Sequence, residues 1–364
     1  MLRNDVIDRG TRGQTPALNT RADEAFLDYI SDMRNTLMHG THKRVEEQSA
    51  AALEKAGLTE NLWPDRVDDM RTTMTDVPEV ATWLRAKRSL QEAYWQTIVD
   101  SYSSRQDEFL HMLEVSDSEG PGSVHWDPDF KYPDYVTVDI HIQPGGYVAD
   151  PLCGLHYDYG TKVFFGGMND GDALHAKMCG KTAIPKDGQV NRAMDIGCAI
   201  GQFSCALKRR FPDAEVWGMD IGAPMVRYAH SRAAKQGLDV NFAQMASEKL
   251  NSPDNHFDLV TAHLLFHELP EPIIKQTIAE VYRVLRPGGT FVLWDFPSDA
   301  PADGRFSGFM RYMDAADNGE PYSCEFVSCD VETLIPQAGF ILRYDDLDDI
   351  ARHGRIGDKP EQRT

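Results

Sequence analysis

One glycine-containing segment constrains the fold of this chain more than any other part of its sequence. The segment reads Ala193-Met-Asp-Ile-Gly-Cys-Ala-Ile-Gly201, and Asp220 follows it at the end of a second apolar run. An apolar strand, a glycine turn and a helix over 202–210 predict a strand–loop–helix unit. Backbone N–H groups in such a unit can approach a nucleotide-like ligand closely. An acid at the end of the next strand is placed to accept hydrogen bonds from ribose hydroxyls.

The spacing of the glycines narrows the kind of ligand. Gly197 and Gly201 are four residues apart, so the loop lacks the Gly-x-Gly-x-x-Gly pattern that packs a dinucleotide pyrophosphate. A loop of the form Asp-x-Gly-x-x-x-Gly suits a ligand that carries a ribose but no phosphate. The spacing therefore argues against an NAD-dependent oxidoreductase, which would share the alternating strand–helix architecture.

Four motifs occur in the order typical of class I S-adenosylmethionine-dependent methyltransferases. They are Asp195 to Gly201, Asp220, Phe257-Asp-Leu-Val260 with His267, and Leu285-Arg-Pro-Gly-Gly289. Roughly residues 190–296 resemble this family, and most of all its small-molecule branch, which includes the ubiquinone and menaquinone biosynthesis methyltransferases. The resemblance implies an α/β fold with a doubly wound, mostly parallel sheet. It also implies S-adenosylmethionine as the cofactor and in-line methyl transfer to a small organic metabolite.

The resemblance further implies a set of cofactor contacts. Gly197 and Gly201 would shape the loop around the methionine part of the cofactor, Asp195 would anchor that end, and Asp220 would accept from the ribose. Met225 would lie against the adenine. The expected cofactor-binding residues are Asp195, Gly197, Cys198, Ala199, Gly201, Asp220, Ile221, Met225, Ala246, Ser247, His263 and Tyr157.

One position departs from the family pattern. Ala246 stands where the family often has an acid that contacts the adenine amine. Ser247 or a backbone carbonyl is then expected to make that contact, and Glu248 is an alternative. The altered motif keeps open a second hypothesis, a non-catalytic regulatory module that binds S-adenosylmethionine.

Two histidines follow the apolar run 259–262, which predicts a strand. In this fold the end of that strand lies beside the reaction centre. His263 and His267 are candidates for a general base, because an imidazole titrates near neutral pH. Two histidines four apart on a helix can also ligate a metal. The sequence offers no evident third ligand, so we predict no metal.

The segment His156-Tyr-Asp-Tyr-Gly160 is similar to one that precedes the glycine loop in cyclopropane-fatty-acid synthases. That similarity implies that Tyr157 or Tyr159 caps the amino-acid end of the cofactor. His156 and Tyr159 of this segment are further catalytic candidates. The alternative is a hairpin whose aromatic rings pack into an interdomain core.

Hydrophobic periodicity divides the chain into three parts. We expect a helical N-terminal cap domain over 1–115, a linker and α+β capping segment over 116–189, and the cofactor domain over 190–364 with a substrate lid at about 297–326. An apolar stripe in the second N-terminal helix predicts an intramolecular core, with a homodimer interface as the alternative. Strict alternation over 135–142 predicts a strand. Residues 351–364 read as too polar for the final strand of the sheet, so 135–142 is a candidate to complete it.

Composition limits the partners of the chain. Its formal net charge of −20 argues against a nucleic-acid partner, since binding phosphates needs clustered Lys and Arg. No apolar run approaches the length of a membrane span or forms a signal-peptide core. The six cysteines lack metal-ligand or disulfide spacing, and a cytoplasmic location is expected. The acidity leaves open a protein methyltransferase with basic targets.

Overall fold

The computed structural model describes residues 15–59, 66–296, 312–313, 315–343 and 354–361. Within these ranges a mixed sheet forms the centre of the molecule. Its strands are β1 (Gly122–His125), β2 (Arg192–Ile196), β3 (Glu215–Asp220), β4 (Val240–Gln244), β5 (Phe257–His263), β6 (Leu285–Trp294), β7 (Ile341–Arg343) and β8 (Gly354–Asp358). They lie in the order β1-β4-β3-β2-β5-β6-β8-β7. Neighbours are parallel except where β8 pairs, antiparallel to both β6 and β7.

The helices fall into two groups along the chain. Those before β2 are α1 (Arg21–Asn35), α2 (His42–Lys55), α3 (Val67–Thr75), α4 (Pro78–Ser103), α5 (Gln106–Ser116), α6 (Cys153–Phe164) and α7 (Ala173–Lys181). Those after it are α8 (Gln202–Arg210), α9 (Ala223–Lys235), α10 (Glu271–Val284), α11 (Ser323–Ser328) and α12 (Val331–Gln337). A π-helical turn (Thr36–Thr41) joins α1 to α2. None of the helices in the described ranges combines the length and the apolar character that a membrane span needs.

Helices cover both faces of the sheet, as the predicted fold class requires. Helices α7, α8 and α9 pack on one face, and α10 and α12 pack on the other. The central strand β5 is consequently buried along its length, apart from half-buried His263 at its end. Parallel strands covered on both sides read as continuous apolar runs, as do the run that enters the glycine loop and the run that ends at Asp220.

The direction of winding reverses at the centre of the sheet. Strand β2 has β3 on one side and β5 on the other. Chain connections leave in opposite directions at this point, which opens a crevice at the carboxyl ends of the strands. The glycine loop follows β2, Asp220 ends β3 and His263 ends β5, so all three meet at this crevice.

The N-terminal helices pack against the sheet domain mainly through α6 and α5. Helix α6 lies close to α9 because Gly154 has no side chain: a Cβ there would lie 2.7 Å from the Cβ of Tyr228. Helix α4 begins with Pro78, which the first turn tolerates. Its predicted apolar stripe is buried within this chain, including Trp83 and Ile98. The stripe therefore serves as an intramolecular core, as the periodicity favours.

Two expectations about strands were wrong. Residues 135–142 form no strand: a short 3-10 turn (Asp134–Val136) leads into irregular backbone in which His141 and Ile142 have positive φ. Residues 354–358 do form a strand, β8, despite their polarity. Its polar side chains find distant partners, because the Arg355 guanidinium donates to the carbonyl of Phe296 and Asp358 accepts from the Thr290 hydroxyl.

Two other segments differ from the sequence expectations. The part predicted as linker contains β1, which adds an edge strand parallel to β4. The aromatic segment around His156 is helix α6 rather than a hairpin. Residues 297–311 lie outside the described ranges, and so do residues 1–14. The first of these segments is half of the predicted substrate lid and includes Phe306, Phe309 and Met310.

Candidate active site

The glycine loop wraps the carboxyl end of β2 in left-handed backbone. Gly197, Ala199 and Gly201 have φ values of 65°, 44° and 75°. The turn is closed by the Cys198 N–H, which donates to the Met219 carbonyl, and by the Gly201 N–H, which donates to the Cys198 carbonyl. Only glycine adopts such angles without strain, which accounts for the glycines at both ends of the loop.

Asp220 lies in the cleft beside this loop. Its carboxylate accepts hydrogen bonds from the backbone N–H of Ala199 at 3.0 Å and of Gly222 at 2.8 Å. Burial raises the pKa of Asp220 to about 6, against the lowering effect of these two donors. The group is therefore mostly ionised at neutral pH. Each carboxylate oxygen can accept a further hydrogen bond, and Asp220 lines the cleft.

Asp195 lies beneath the loop and does not line the cleft. Its carboxylate accepts from the Ser204 hydroxyl at 2.7 Å and from the Thr261 hydroxyl at 3.0 Å. Burial raises the pKa of Asp195 to about 7. These contacts tie α8 to β5, so Asp195 supports the loop from below. Cys198, Gly201 and Met225 are likewise buried behind the cleft wall.

The far end of the cleft is apolar. Its walls include Met219, Ile221, Met245, Leu265 and Leu269, with Ser247 and the backbone turn at Tyr135 and Val136. Ser247 lines the cleft as expected, although its hydroxyl also pairs with the Thr277 hydroxyl at 2.8 Å. Ala246 is not part of the lining. Glu248 is held by the Tyr135 hydroxyl, which donates to its carboxylate at 2.9 Å.

His263 forms part of the cleft wall near the glycine loop. Its ring stacks on Phe203 at a centroid distance of 5.1 Å, and His175 lies 4.8 Å away. Burial, reinforced by His175, holds the pKa of His263 well below its usual range. The imidazole is therefore neutral at physiological pH.

Helix α6 separates the residues that were expected to act together. Tyr157 reaches the cleft. His156 and Tyr159 instead point into the helical core, and they line neither the cleft nor the neighbouring cavity between α1, α4 and α6. The His156 ring stacks on Tyr102 at 6.1 Å, and burial lowers its pKa to about 4. Successive residues on a helix are about 100° apart, so His156 lies about 100° and Tyr159 about 160° away from Tyr157 around the helix axis.

A second cavity, which we call the acceptor cavity, adjoins the cleft. Its volume is about 480 Å³, and it lies between α1, α4, α6 and the segment 318–326. It shares Tyr157, Leu264 and Glu268 with the cleft. Its lining includes the aromatic residues Tyr94, Trp95, Tyr157, Phe164, Phe165, Phe296 and Phe326.

His267 lies in the wall of the acceptor cavity, on a short 3-10 turn (Phe266–Glu268). Its Nδ1 is 2.8 Å from Oδ1 of Asp295, whose other oxygen accepts from the Phe266 N–H. Although burial alone would lower it, the pKa of His267 is raised to about 9, because Asp295 stabilises the charged ring. In the free protein the imidazole is protonated at neutral pH and is not a ready base.

Sequence reasoning assigned no role to three polar residues that line the acceptor cavity, His141, Glu268 and Glu320, or to Asp295, which lies behind His267. Asp295 directly follows β6, so the rule that functional residues follow the carboxyl ends of parallel strands could have found it. Glu268 is adjacent to His267. His141 and Glu320 lie on irregular backbone and carry no local signal.

Comparisons with known proteins identify the family of the cofactor domain. The family model described as "Methyltransferase domain" matches residues 193–289. The demethylmenaquinone methyltransferase of Thermus thermophilus is 30% identical over 186 residues, which is 46% of this chain and 83% of that protein. The ubiquinone/menaquinone biosynthesis C-methyltransferase UbiE of Desulfotalea psychrophila is 32% identical over 163 residues, 45% of this chain and 61% of that protein. The YcgJ protein of Bacillus subtilis has a solved structure with a TM-score of 0.40 and 20% identity, over 51% of this chain and 98% of that one.

The chain belongs to the class I S-adenosylmethionine-dependent methyltransferases. Within that class it resembles the ubiquinone and menaquinone biosynthesis enzymes, and its cofactor is S-adenosylmethionine. The matched family model leaves the N-terminal helices outside. The family match therefore covers the cofactor domain and not the N-terminal helices beside the acceptor cavity.

The lining of the cleft is chemically compatible with this cofactor. Gly197 packs closely against the Leu265 side chain, since a Cβ would lie 2.6 Å from Leu265 Cδ1. Asp220 presents its carboxylate in the cleft, and the walls at Met219 and Met245 are apolar. When bound, the cofactor supplies a methyl group on a sulfonium.

Proposed function

We propose that this protein transfers the methyl group of S-adenosylmethionine to a small organic metabolite bound in the acceptor cavity. One observation carries the proposal: a cavity of about 480 Å³ adjoins the cofactor cleft and shares residues with it. Sites of a few hundred Å³ with mostly apolar walls are typical of small-molecule ligands. Methyl transfer requires the two sites to meet, because nucleophile, methyl carbon and sulfur must lie in line.

The roles of the cleft residues follow from their positions. We assign Asp220 to the ribose hydroxyls, the loop at Gly197 and Ala199 to the methionine part, and Ile221 and Ser247 to the adenine end. His263, neutral and held against Phe203, serves as a wall next to the loop. Tyr157 separates the cleft from the acceptor cavity.

The acceptor side favours a substrate with an apolar, flat body. Besides its aromatic walls, the cavity contains Arg34, whose guanidinium lies 5.4 Å from the ring centre of Tyr94 and 5.1 Å from that of Phe164. A cation between aromatic rings can also hold an anionic or electron-rich part of a ligand. Helices α1 and α4 cover the cavity, which argues against a large macromolecular target such as a folded protein.

We also propose a domain division, a cellular location and an oligomeric state for this protein. We propose the three-part division 1–115, 116–189 and 190–364, with the N-terminal helices as a cap over the acceptor. All six cysteines are free thiols, which supports a reducing compartment such as the cytoplasm. A homodimer through the N-terminal helices remains a prediction.

The test is transfer of isotopically labelled methyl from S-adenosylmethionine into a host-cell extract, with small molecules and macromolecules then separated. We expect label in a small-molecule fraction with the wild-type protein. Thr161 lines the acceptor cavity on α6, so a Thr161→Phe variant should obstruct the cavity and strongly lower transfer while S-adenosylhomocysteine still binds. Thr72→Phe, on the exposed side of α3, is the matched control and should transfer normally.

Two outcomes would refute the proposal. Label confined to protein would point to a macromolecular acceptor. Undiminished transfer by a folded Thr161→Phe protein would place the acceptor elsewhere. Thermal unfolding of both variants checks that they fold.

A further inference from the structure

Four metal-ligand side chains meet where the cleft joins the acceptor cavity. His141, His267, Glu268 and Glu320 each offer a ligand atom, and these atoms all lie within 4.8 Å of one another. The four residues come from three separate segments of the chain. We propose that this cluster binds one divalent metal cation.

The distances suit ligands of a single ion. Nε2 of His267 lies 3.8 Å from Oε1 of Glu268 and 3.9 Å from Oε2 of Glu320. His141 lies between the two carboxylates, with Nε2 3.1 Å from Oε1 of Glu268 and Nδ1 2.5 Å from Oε1 of Glu320, and one of these two ring nitrogens would bind the ion. Metal bonds of about 2.0–2.2 Å to nitrogen and oxygen place neighbouring ligand atoms about 3 to 4 Å apart.

An unsatisfied buried oxygen points to a missing ligand. Glu320 is only 7% exposed, and its Oε2 has no hydrogen-bond partner among the described residues. Buried carboxylate oxygens without a partner are costly, and bound metal is one of the usual ways to satisfy them. The oxygen faces Nε2 of His267, the nitrogen that the Asp295 contact leaves available.

An outer shell orients the ligands. Asp295 holds Nδ1 of His267 at 2.8 Å, and Tyr147 donates its hydroxyl to Oε1 of Glu268 at 2.9 Å. A carboxylate behind a ligand histidine is the usual support of metal sites, because it fixes the ring and raises its basicity.

The backbone of His141 is held by three further hydrogen bonds. Its carbonyl accepts from Gln91 Nε2 and from Trp95 Nε1, both at 2.8 Å, and its N–H donates to the Gly319 carbonyl at 2.8 Å. These contacts hold His141 at a φ of 55°, an angle that non-glycine residues adopt only when the surroundings compensate. The fold thus fixes the imidazole at the cluster.

The donor set selects the class of ion. Two imidazoles and two carboxylates suit first-row divalent cations such as Zn²⁺, Mn²⁺ and Fe²⁺, whereas Mg²⁺ and Ca²⁺ prefer all-oxygen sites. Two carboxylate charges also balance a dication.

The position of the cluster suggests a use, which rests on the proposed function. His141, His267 and Glu320 line the acceptor cavity, and Glu268 lines both spaces, so open coordination positions would face the acceptor. A hydroxyl-bearing acceptor that ligates the ion would lose its proton to water more readily. Its oxygen would then form the bond to the methyl carbon as the carbon–sulfur bond breaks, which yields S-adenosylhomocysteine.

The test measures metal binding to the full-length protein after treatment with a chelator. Titration calorimetry with Zn²⁺ and with Mn²⁺, together with elemental analysis, should find one equivalent. Glu320→Gln should weaken binding at least tenfold, and Asp295→Asn should weaken it about 10- to 100-fold. Glu325→Gln, on α11 but outside the cluster, is the matched control and should bind as wild type does.

Several results would decide the matter. Absence of stoichiometric binding of both ions, or equal affinity in wild-type and folded Glu320→Gln protein, would overturn the metal site. Retained S-adenosylhomocysteine affinity in Glu320→Gln shows that the variant folds. If metal binds as expected but chelation leaves methyl transfer unchanged, the site stands and its role toward the acceptor is refuted.

Discussion

Asp220 offers the sharpest test of the cofactor site. Its carboxylate ends β3 and accepts from the N–H groups of Ala199 and Gly222, with further lone pairs open to the cleft. Hydrogen bonds to a charged acceptor contribute about 1.5–3 kcal/mol each. Loss of two ribose contacts in Asp220→Ala should therefore cost about 3–6 kcal/mol, or at least a hundredfold in the dissociation constant for S-adenosylhomocysteine.

The pH dependence gives an independent signature. In the protein without cofactor the pKa of Asp220 is raised to about 6. Ribose hydroxyls donate hydrogen bonds to the ionised carboxylate. Affinity for S-adenosylhomocysteine should therefore be constant above about pH 7 and fall as pH drops through 6. Asp220→Asn carries no titrating group at this position and should lack that step.

Calorimetric titration between pH 5 and 8 checks both expectations. Asp213→Asn is the control, because Asp213 is an exposed acid just before the start of the same strand and should leave binding unchanged. Two results would refute the reasoning: an Asp220→Ala dissociation constant within about threefold of wild type, or a pH step at 6 that survives in Asp220→Asn.

Three further predictions concern the supports of the site. The pKa of Asp195 is about 7 in the folded protein, against an ordinary value of 3.8. Between these two pH values the folded state binds more protons than the unfolded state. The free energy of unfolding therefore falls as pH rises, by up to about 4 kcal/mol. Asp195→Asn should remove that fall in urea unfolding at pH 5 and pH 8, and parallel pH trends in the two proteins would contradict it. Gly197→Ala should weaken S-adenosylhomocysteine binding at least tenfold, since its Cβ would lie 2.6 Å from Leu265, whereas Gly188→Ala, also at positive φ but with nothing within 4 Å, should bind normally. Ile98→Ala should lower the free energy of unfolding by about 2–5 kcal/mol, because Ile98 is fully buried; a loss below 1 kcal/mol would show that α4 is not packed as described.

The cofactor half of the molecule could be predicted from the sequence. Strands β2 and β3 and helix α8 lie where the glycine-containing segment and the second apolar run predict them. Their signals are local: apolar runs mark strands buried on both faces, and glycines mark the turn at 197–201. The placement of Asp220 beside that loop follows from the same regular alternation.

Sequence patterns failed where partners lie far away in the chain. The strict alternation over 135–142 predicted a strand, but hydrogen bonds from α4 and to Gly319 hold His141 in another conformation. Strand β8 is polar because β6 and β7 flank it and supply partners for its side chains. Neither environment is visible in a short window of sequence.

The sequence by itself therefore determined the fold class, the cofactor and the carboxylate expected to bind its ribose, because each depends on residues close together in the chain. Tertiary structure alone decided the acceptor cavity and the cluster in its wall. His141, His267 and Glu320 are more than fifty residues apart from one another, and they meet only because α4, the loop after β5 and the segment before α11 pack together. Chemistry that depends on such convergence leaves no local pattern, since each residue separately resembles an ordinary polar surface residue.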